Sequence, residues 1–368
     1  MACILVVFGT RPEAIKCAPL IKELKKRKGF RVVVAVTGQH REMLASVLAA
    51  FDIRPQYNLA IMRKGQSLSE ITAAVLEGLS QILDQNHFDC VLVHGDTATA
   101  FAASLAAFYR GIKVGHIEAG LRTYDNKAPF PEEFNRRAIA LMADYHFAPT
   151  AWAADNLVSE GVSNDCVFVT GNTGIDALRE TVARREESAF LRTLDGKRIL
   201  LLTAHRRENL AGHLSTAFEG IKRVLKMHSD LVLVYPVHHN PCVRETAERA
   251  FAGCENVCLV EPMDVVNFHR LLAASYLVLT DSGGVQEEAP YFGKPVLVLR
   301  EKTERPEGVT AGVLRLVGCD ADSVEQALAE LVEDPERYAA MSRAVSPFGD
   351  GRASERIANI LEEMLGND

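Results

Sequence analysis

The segment CVLVHGDTATAFAASLAAFYR, residues 90–110, decides the fold. It opens on a run from Cys90 to Gly95 that is apolar on both faces, as the strands of a buried parallel sheet are. Gly95, Asp96 and Thr97 punctuate it, and an Ala-rich helical pattern follows. Strand, tight turn and helix in that order form the unit of an alternating β/α chain. In such a chain the turns collect on one edge of the sheet, where ligands bind.

The same rhythm runs outward in both directions. Upstream, CILVVF (Cys3 to Phe8) leads into a helical pattern from Pro12 to Lys28, and RVVVAVT precedes a helix near Arg41 to Phe51. Downstream come KVGHIEA, the helix pattern PEEFNRRAIALMA, then YHFAPT and CVFVTG. After a helix around Asp176 to Arg192 a second series begins: RILLLTAH, LVLVYPVHH, VCLVEP, YLVLTDSGG, PVLVLR and GVLRLVG. The loop-like TGNTG near Gly171 separates the two series. The expected fold class is therefore α/β, with two doubly wound halves facing a cleft. A last helix near Ala353 to Leu365, after the turn FGDGRAS, could pack on either half.

The length of 368 residues fits two domains. Net charge is −7 and no basic stripe is present, which argues against a nucleic-acid surface. The one dense basic run, KELKKRKGFR, reads as the solvated face and end of a helix. Eight scattered cysteines without a CxxC suit reduced thiols in a cytosolic protein. The chain starts directly in a strand, with no basic leader, and has no apolar stretch long enough to span a bilayer. A cytoplasmic location without membrane insertion is expected.

The first turn, FGTRPEAIK, carries Thr10 and Glu13 at capping-box spacing and Pro12 in the first helical turn. By themselves these make a well-capped helix. Arg11 and Lys16 add cations near a helix N-terminus, which the helix dipole disfavours unless an anion is bound. The sequence lacks GxGxxG and GxxxxGK[ST], so neither a tightly held NAD nor a P-loop is supported. TDSGG is the stronger phosphate seat: Ser282, Gly283 and Gly284 follow a strand and open a helix, with no Cβ on the glycines to block an approach. Of Glu287 and Glu288, one could accept from ribose hydroxyls. Arg305, in TERPEG, is a candidate diphosphate clamp, although an isolated Arg of this kind more often lies on the surface.

Carboxylates mark the turns of the first half. Asp96 reads equally as the N-cap of TATAFAASL or as a functional acid. Glu118, in HIEAG, ends a buried strand, where a carboxylate needs a partner or a task. Glu132 and Glu133 open a helix, where the dipole alone would favour them. Three acidic sites on neighbouring tips can split their proton affinities and supply an acid and a base. His205 ends the first strand of the second half, and His238 with His239 ends the next. No HExxH or paired CxxC spacing accompanies these histidines, so no metal is expected.

Taken together and in order, VFGTRPEAIK, QHREML, LVHGDT, HIEAGLRT, PEEFNRR, TGNT, TAHRREN, DSGGVQEEAP, GKPVLVLR and TERPE resemble the non-hydrolysing UDP-N-acetylglucosamine 2-epimerases, from the first strand to about residue 350. The resemblance implies a GT-B type fold: an N-terminal domain of residues 1–170 plus 351–368, and a UDP-binding domain of residues 171–350. It implies UDP-N-acetylglucosamine as substrate, UDP-N-acetylmannosamine as product, no cofactor or metal, and a homodimer feeding surface polysaccharide synthesis. By motif position, Asp96, Glu118, Glu132 and His205 match the family's catalytic residues. Arg11, Lys16, Phe268, Ser282, Gly283, Gly284, Glu288 and Arg305 match its substrate contacts. Gln39, Glu42, Arg206 and His238 match a second site at which substrate activates some members. Competing readings are a GT-B glycosyltransferase using the same donor, a hydrolysing epimerase, and a non-catalytic nucleotide-sugar sensor.

Overall fold

A computed structural model describes residues 1–38, 41–63, 65–184, 188–204 and 213–366, with 41–43 and 213 described by backbone only. Its contacts divide the chain into two compact units, Met1–Glu180 with Gly349–Asp368, and Thr181–Phe348. The break falls inside the helix that follows Gly171.

The first unit is built on a parallel sheet. Its strands are β1 (Ala2–Phe8), β2 (Phe30–Val36), β3 (Tyr57–Asn58), β4 (Cys90–His94), β5 (Lys113–Ile117), β6 (Tyr145–Ala148) and β7 (Val167–Val169), in the order β3-β2-β1-β4-β5-β6-β7. The order reverses between β1 and β4, whose register pairs Ile4 with Cys90 and Val7 with Val93. Ile4 to Phe8 have no exposed surface, as the two-sided apolar pattern requires. The helices are α1 (Arg11–Lys26), α2 (Arg41–Ala50), α3 (Leu68–Gln85), α4 (Ala98–Phe108), α5 (Glu132–Met142), α6 (Ala151–Ser159) and α7 (Thr173–Val182). Residues of α3 and α4 close one core over the sheet, with Val75, Leu79, Ala103 and Ala106 buried among Leu5, Val7, Val91 and Val93.

The second unit repeats the plan. After α8 (Ala189–Arg192) come β8 (Arg198–Thr203), α9 (His213–Met227), β9 (Leu231–Pro236), α10 (Pro241–Ala250), β10 (Val257–Val260), α11 (Val265–Ala274), β11 (Leu277–Thr280) and α12 (Gly283–Glu288). Then follow β12 (Val296–Val298), α13 (Pro306–Thr310), β13 (Leu314–Leu316), α14 (Ala321–Glu333) and α15 (Pro335–Arg343). The sheet is parallel, in the order β10-β9-β8-β11-β12-β13, and reverses between β8 and β11. Both units are thus α/β and doubly wound, as the alternating pattern predicts.

The final helix, α16 (Ala353–Leu365), belongs to the first unit. Asp176 of α7 accepts the Ala353 and Ser354 N–H groups at 3.1 and 2.7 Å, and so caps the new helix in place of a side chain of its own. At the far end Glu362 pairs with Arg27 at 2.9 Å.

One local expectation changes. The single helix foreseen around Asp176 to Arg192 is two helices, α7 and α8. The helix opened by the TDSGG turn, α12, begins at Gly283 as expected and tightens into a 3₁₀ turn over Ala289–Phe292, where Pro290 cannot donate to an α-helical ladder. All eight cysteines are free. Among the described residues no helix is long and apolar enough to cross a membrane.

Candidate functional site

In the first unit the tips of β1, β4 and β5 stand side by side at the carboxyl edge of the sheet, next to the reversal point. The β1 tip is held by the foreseen capping box. Glu13 accepts the N–H groups of Gly9 and Thr10 at 3.0 and 2.7 Å, and Thr10 returns the cap. Glu13 also accepts the Thr97 hydroxyl at 2.7 Å, which locks the β1 turn to the β4 turn. Burial pushes the Glu13 carboxyl up, against the hydrogen bonds that it accepts.

Thr97, not Asp96, caps α4: its hydroxyl accepts the Ala100 N–H at 3.0 Å. The structural alternative for Asp96 therefore falls away. Its carboxylate meets Arg136 of α5 at 2.5 Å, while its carbonyl accepts the Asn135 amide at 2.8 Å. Burial raises the Asp96 carboxyl, Arg136 opposes that, and the charges of Glu118 and Glu132 raise it further. Glu118 and Glu132 therefore both lie within electrostatic reach of Asp96.

Glu118 adopts the left-handed region with φ +64°, unusual for a residue with a side chain, and lies one residue after β5. Its carboxylate pairs with Lys16 of α1. The His94 ring stands 4.0 Å from the same carboxylate. Burial keeps His94 neutral, with its pKa lowered to about 4 although Glu118 pulls the other way. His116 is likewise buried and lowered to about 3, and its Nε2 lies 2.7 Å from the Gly95 carbonyl. Lys16 thus has a carboxylate partner within the unit, in addition to any anion foreseen for it.

Glu132 and Glu133 take different parts. Glu133 is fully buried, accepts the N–H groups of Thr123 and Tyr124 at 3.0 Å each, and lies 3.4 Å from Arg136. It anchors the loop that precedes α5. Glu132 is partly exposed and bears on Asp96.

In the second unit, Ser282, Gly283 and Gly284 follow β11 and open α12, as foreseen. Thr280 bridges β8 and β11 through Thr203 at 2.6 Å and accepts the Ser282 N–H at 2.9 Å. The Arg305 guanidinium lies flat against Gly283: a Cβ there would sit 2.7 Å from Nη1. Arg305 is 8% exposed, so it is no surface residue, and it donates to Glu287 at 2.7 Å. Glu304 lies 3.3 Å from Arg305 and 2.8 Å from Arg300. Burial alone would raise Glu304, but the Arg300 hydrogen bond and the two guanidinium charges win and pull it down to about 2. Glu288 points elsewhere, 3.8 Å from the buried His269, whose other nitrogen lies 2.7 Å from the Thr181 hydroxyl. Phe268, next to His269, is half-buried.

His238 follows β9, is exposed, and accepts the Asn240 N–H at 3.1 Å. Arg11 is the first residue of α1 and partly exposed. Gln39, His205 and Arg206 lie outside the described residues, as does the side chain of Glu42. Arg136, Glu133 and His269 were not foreseen in these roles. For Arg136 a signal existed, since its spacing from Glu132 is one helical turn. His269 gives none, because a buried histidine on an amphipathic helix looks like any core residue.

A family model described as UDP-N-acetylglucosamine 2-epimerase matches residues 22–362. The chain belongs to that family. It is 52% identical over 362 residues to the UDP-N-acetylglucosamine 2-epimerase of Bacillus subtilis, covering 98% of this chain and 94% of the relative. Among solved structures of the family, a Staphylococcus aureus MnaA–UDP co-structure superposes with a TM-score of 0.93 at 51% identity, over 100% of this chain and 97% of that one. The Neisseria meningitidis UDP-GlcNAc 2-epimerase bound to UDP-GlcNAc gives 0.92 at 45% identity, over 99% and 100%.

Proposed function

We propose that this protein interconverts UDP-N-acetylglucosamine and UDP-N-acetylmannosamine by inverting C2, without hydrolysing the nucleotide. The observation that carries the reading is the gathering of Asp96, Glu118 and Glu132 at adjacent tips in the first unit, in a chain similar over its full length to a relative solved with UDP-GlcNAc. The C2 hydrogen is weakly acidic, because no carbonyl adjoins it in the ring. Loss of UDP makes its removal feasible. A carboxylate takes the C2 proton, the C–H electron pair forms the C1–C2 double bond, and the C1–O pair leaves with UDP. A proton then reaches C2 on the other face as a UDP oxygen returns to C1. Such a cycle requires a base, an acid and a cationic setting for the leaving diphosphate.

Asp96 is assigned as the base that removes the proton, with Glu118 and Glu132 completing the proton-transfer set. Lys16, Arg11 and His205 stabilise the diphosphate. Ser282, Gly283 and Gly284 offer first-turn N–H groups to a phosphate, Arg305 backs that turn, Glu288 accepts from the ribose, and Phe268 lies against the uracil. Gln39, Glu42, Arg206 and His238 are assigned to activation by a second substrate molecule. The working protein is a cytoplasmic homodimer.

Incubation with UDP-N-acetylglucosamine in heavy water, read by NMR, tests the reading. The expected result is deuterium at C2 of recovered UDP-sugar, with no acceptor present. No label would favour a glycosyltransferase, and a steady rise in UDP with free N-acetylmannosamine would favour a hydrolysing enzyme.

A further inference from the structure

We propose that Arg136 is a positioning residue for the proton-transfer step, anchored on Glu133 and holding the Asp96 carboxylate ionised and aimed. This rests on the epimerase reading and goes past it, since Arg136 is outside the set of residues assigned above to chemistry or binding. The geometry comes from one helix. Residues four apart on α5 share a face, so Glu132 and Arg136 point the same way. Arg136 is 6% exposed and places Nη2 at 2.5 Å from Asp96 Oδ2 and Nη1 at 3.4 Å from Glu133 Oε2. Its neighbour Asn135 holds the Asp96 carbonyl at 2.8 Å. The side chain and the main chain of Asp96 are therefore both gripped by α5.

The need for such a grip is electrostatic. Asp96 faces Glu132 from the same helix and Glu118 from the end of β5, the latter engaged by Lys16 of α1. Two carboxylates and burial all favour a proton on Asp96 at rest, and a protonated base removes nothing. Arg136 is the countercharge that opposes them. When Asp96 takes up the C2 proton, Glu133 still faces the guanidinium, so the cation is not stranded in a buried place.

The test follows C2 deuterium exchange from UDP-N-acetylglucosamine across pH for the full chain and for Arg136→Gln and Arg136→Lys, with UDP affinity measured in parallel. Removing an adjacent cation moves a carboxylate by about 1–3 pH units, so the acid limb of the Arg136→Gln profile is expected to move up by that amount, with UDP affinity unchanged. Arg136→Lys keeps a charge without the fork, so its limb is expected to stay near that of the unaltered protein while kcat falls by roughly tenfold at constant KM. A slowed Arg136→Gln protein whose acid limb has not moved would show a merely structural role and overturn the proposal. If Arg136→Gln does not fold, Arg136→Lys decides, and unaltered kcat there overturns it. An unsubstituted protein that exchanges no C2 hydrogen would instead overturn the epimerase reading beneath it.

Discussion

Lys16 of α1 and Glu118 after β5 form an ion pair between residues 102 apart in the chain, and each side chain is only 12% exposed. Removing one partner from such a pair leaves an uncompensated charge, at a cost of about 3–5 kcal/mol. Lys16→Met and Glu118→Gln are each expected to lower stability to that order in urea unfolding. The double variant is expected to recover part of the loss, because neither charge is then stranded. Strictly additive losses would show that the two groups do not interact. Both single variants are also expected to abolish C2 exchange.

Gly283 leaves no room for a side chain beside Arg305: a Cβ there would lie 2.7–2.8 Å from the guanidinium atoms. The guanidinium cannot withdraw freely, since it would give up its ion pairs with Glu287 and Glu304. Gly283→Ala is therefore expected to cost roughly 1–3 kcal/mol through overpacking and to weaken UDP binding in a calorimetric titration. Unchanged affinity and an unchanged melting temperature together would place the phosphate elsewhere.

The turn that carries Glu118 depends on Gly120, at φ +90°. A Cβ there would lie 2.0 Å from the Ala153 carbonyl oxygen of α6, which is backbone and cannot swing aside. Gly120→Ala is expected to destabilise by more than about 3 kcal/mol, combining backbone strain with a steric clash. A thermal melt within a degree of the unaltered protein would refute this.

Stability should also report the buried imidazoles. Burial lowers His94 to about 4 and His116 to about 3. An unfolded histidine titrates near 6.5, so the folded state binds fewer protons below that pH. The contribution of these groups is complete above about pH 6.5 and is lost as pH falls towards 4 and 3. Each is expected to account for about 1–2 kcal/mol of the loss between pH 7 and 5. The carboxyls of Glu13, Asp96 and Asp176 are raised by desolvation and act in the opposite sense. Urea midpoints of the unaltered protein and His94→Asn at both pH values isolate one histidine's share, and an identical fall in the two proteins would contradict the assignment.

Sequence alone determined the alternation of strand and helix, the parallel sheets, the strand tips at which the carboxylates sit, and the Thr10–Glu13 cap, because burial periodicity and capping are settled within a few residues of each other. Ten ordered motifs also made the family legible. Only the tertiary structure set the two members of each adjacent carboxylate pair apart by burial. Glu133 and Glu287 are consumed by buried contacts, while Glu132 and Glu288 are not buried with them. It also freed Asp96 from capping and gave it Arg136, and it paired Lys16 with Glu118. Each of those contacts joins residues on separate elements, and the strand order that sets β1 beside β4 and β4 beside β5 brings them together. That order is fixed by how whole helices and strands pack, a property that no local stretch of sequence contains.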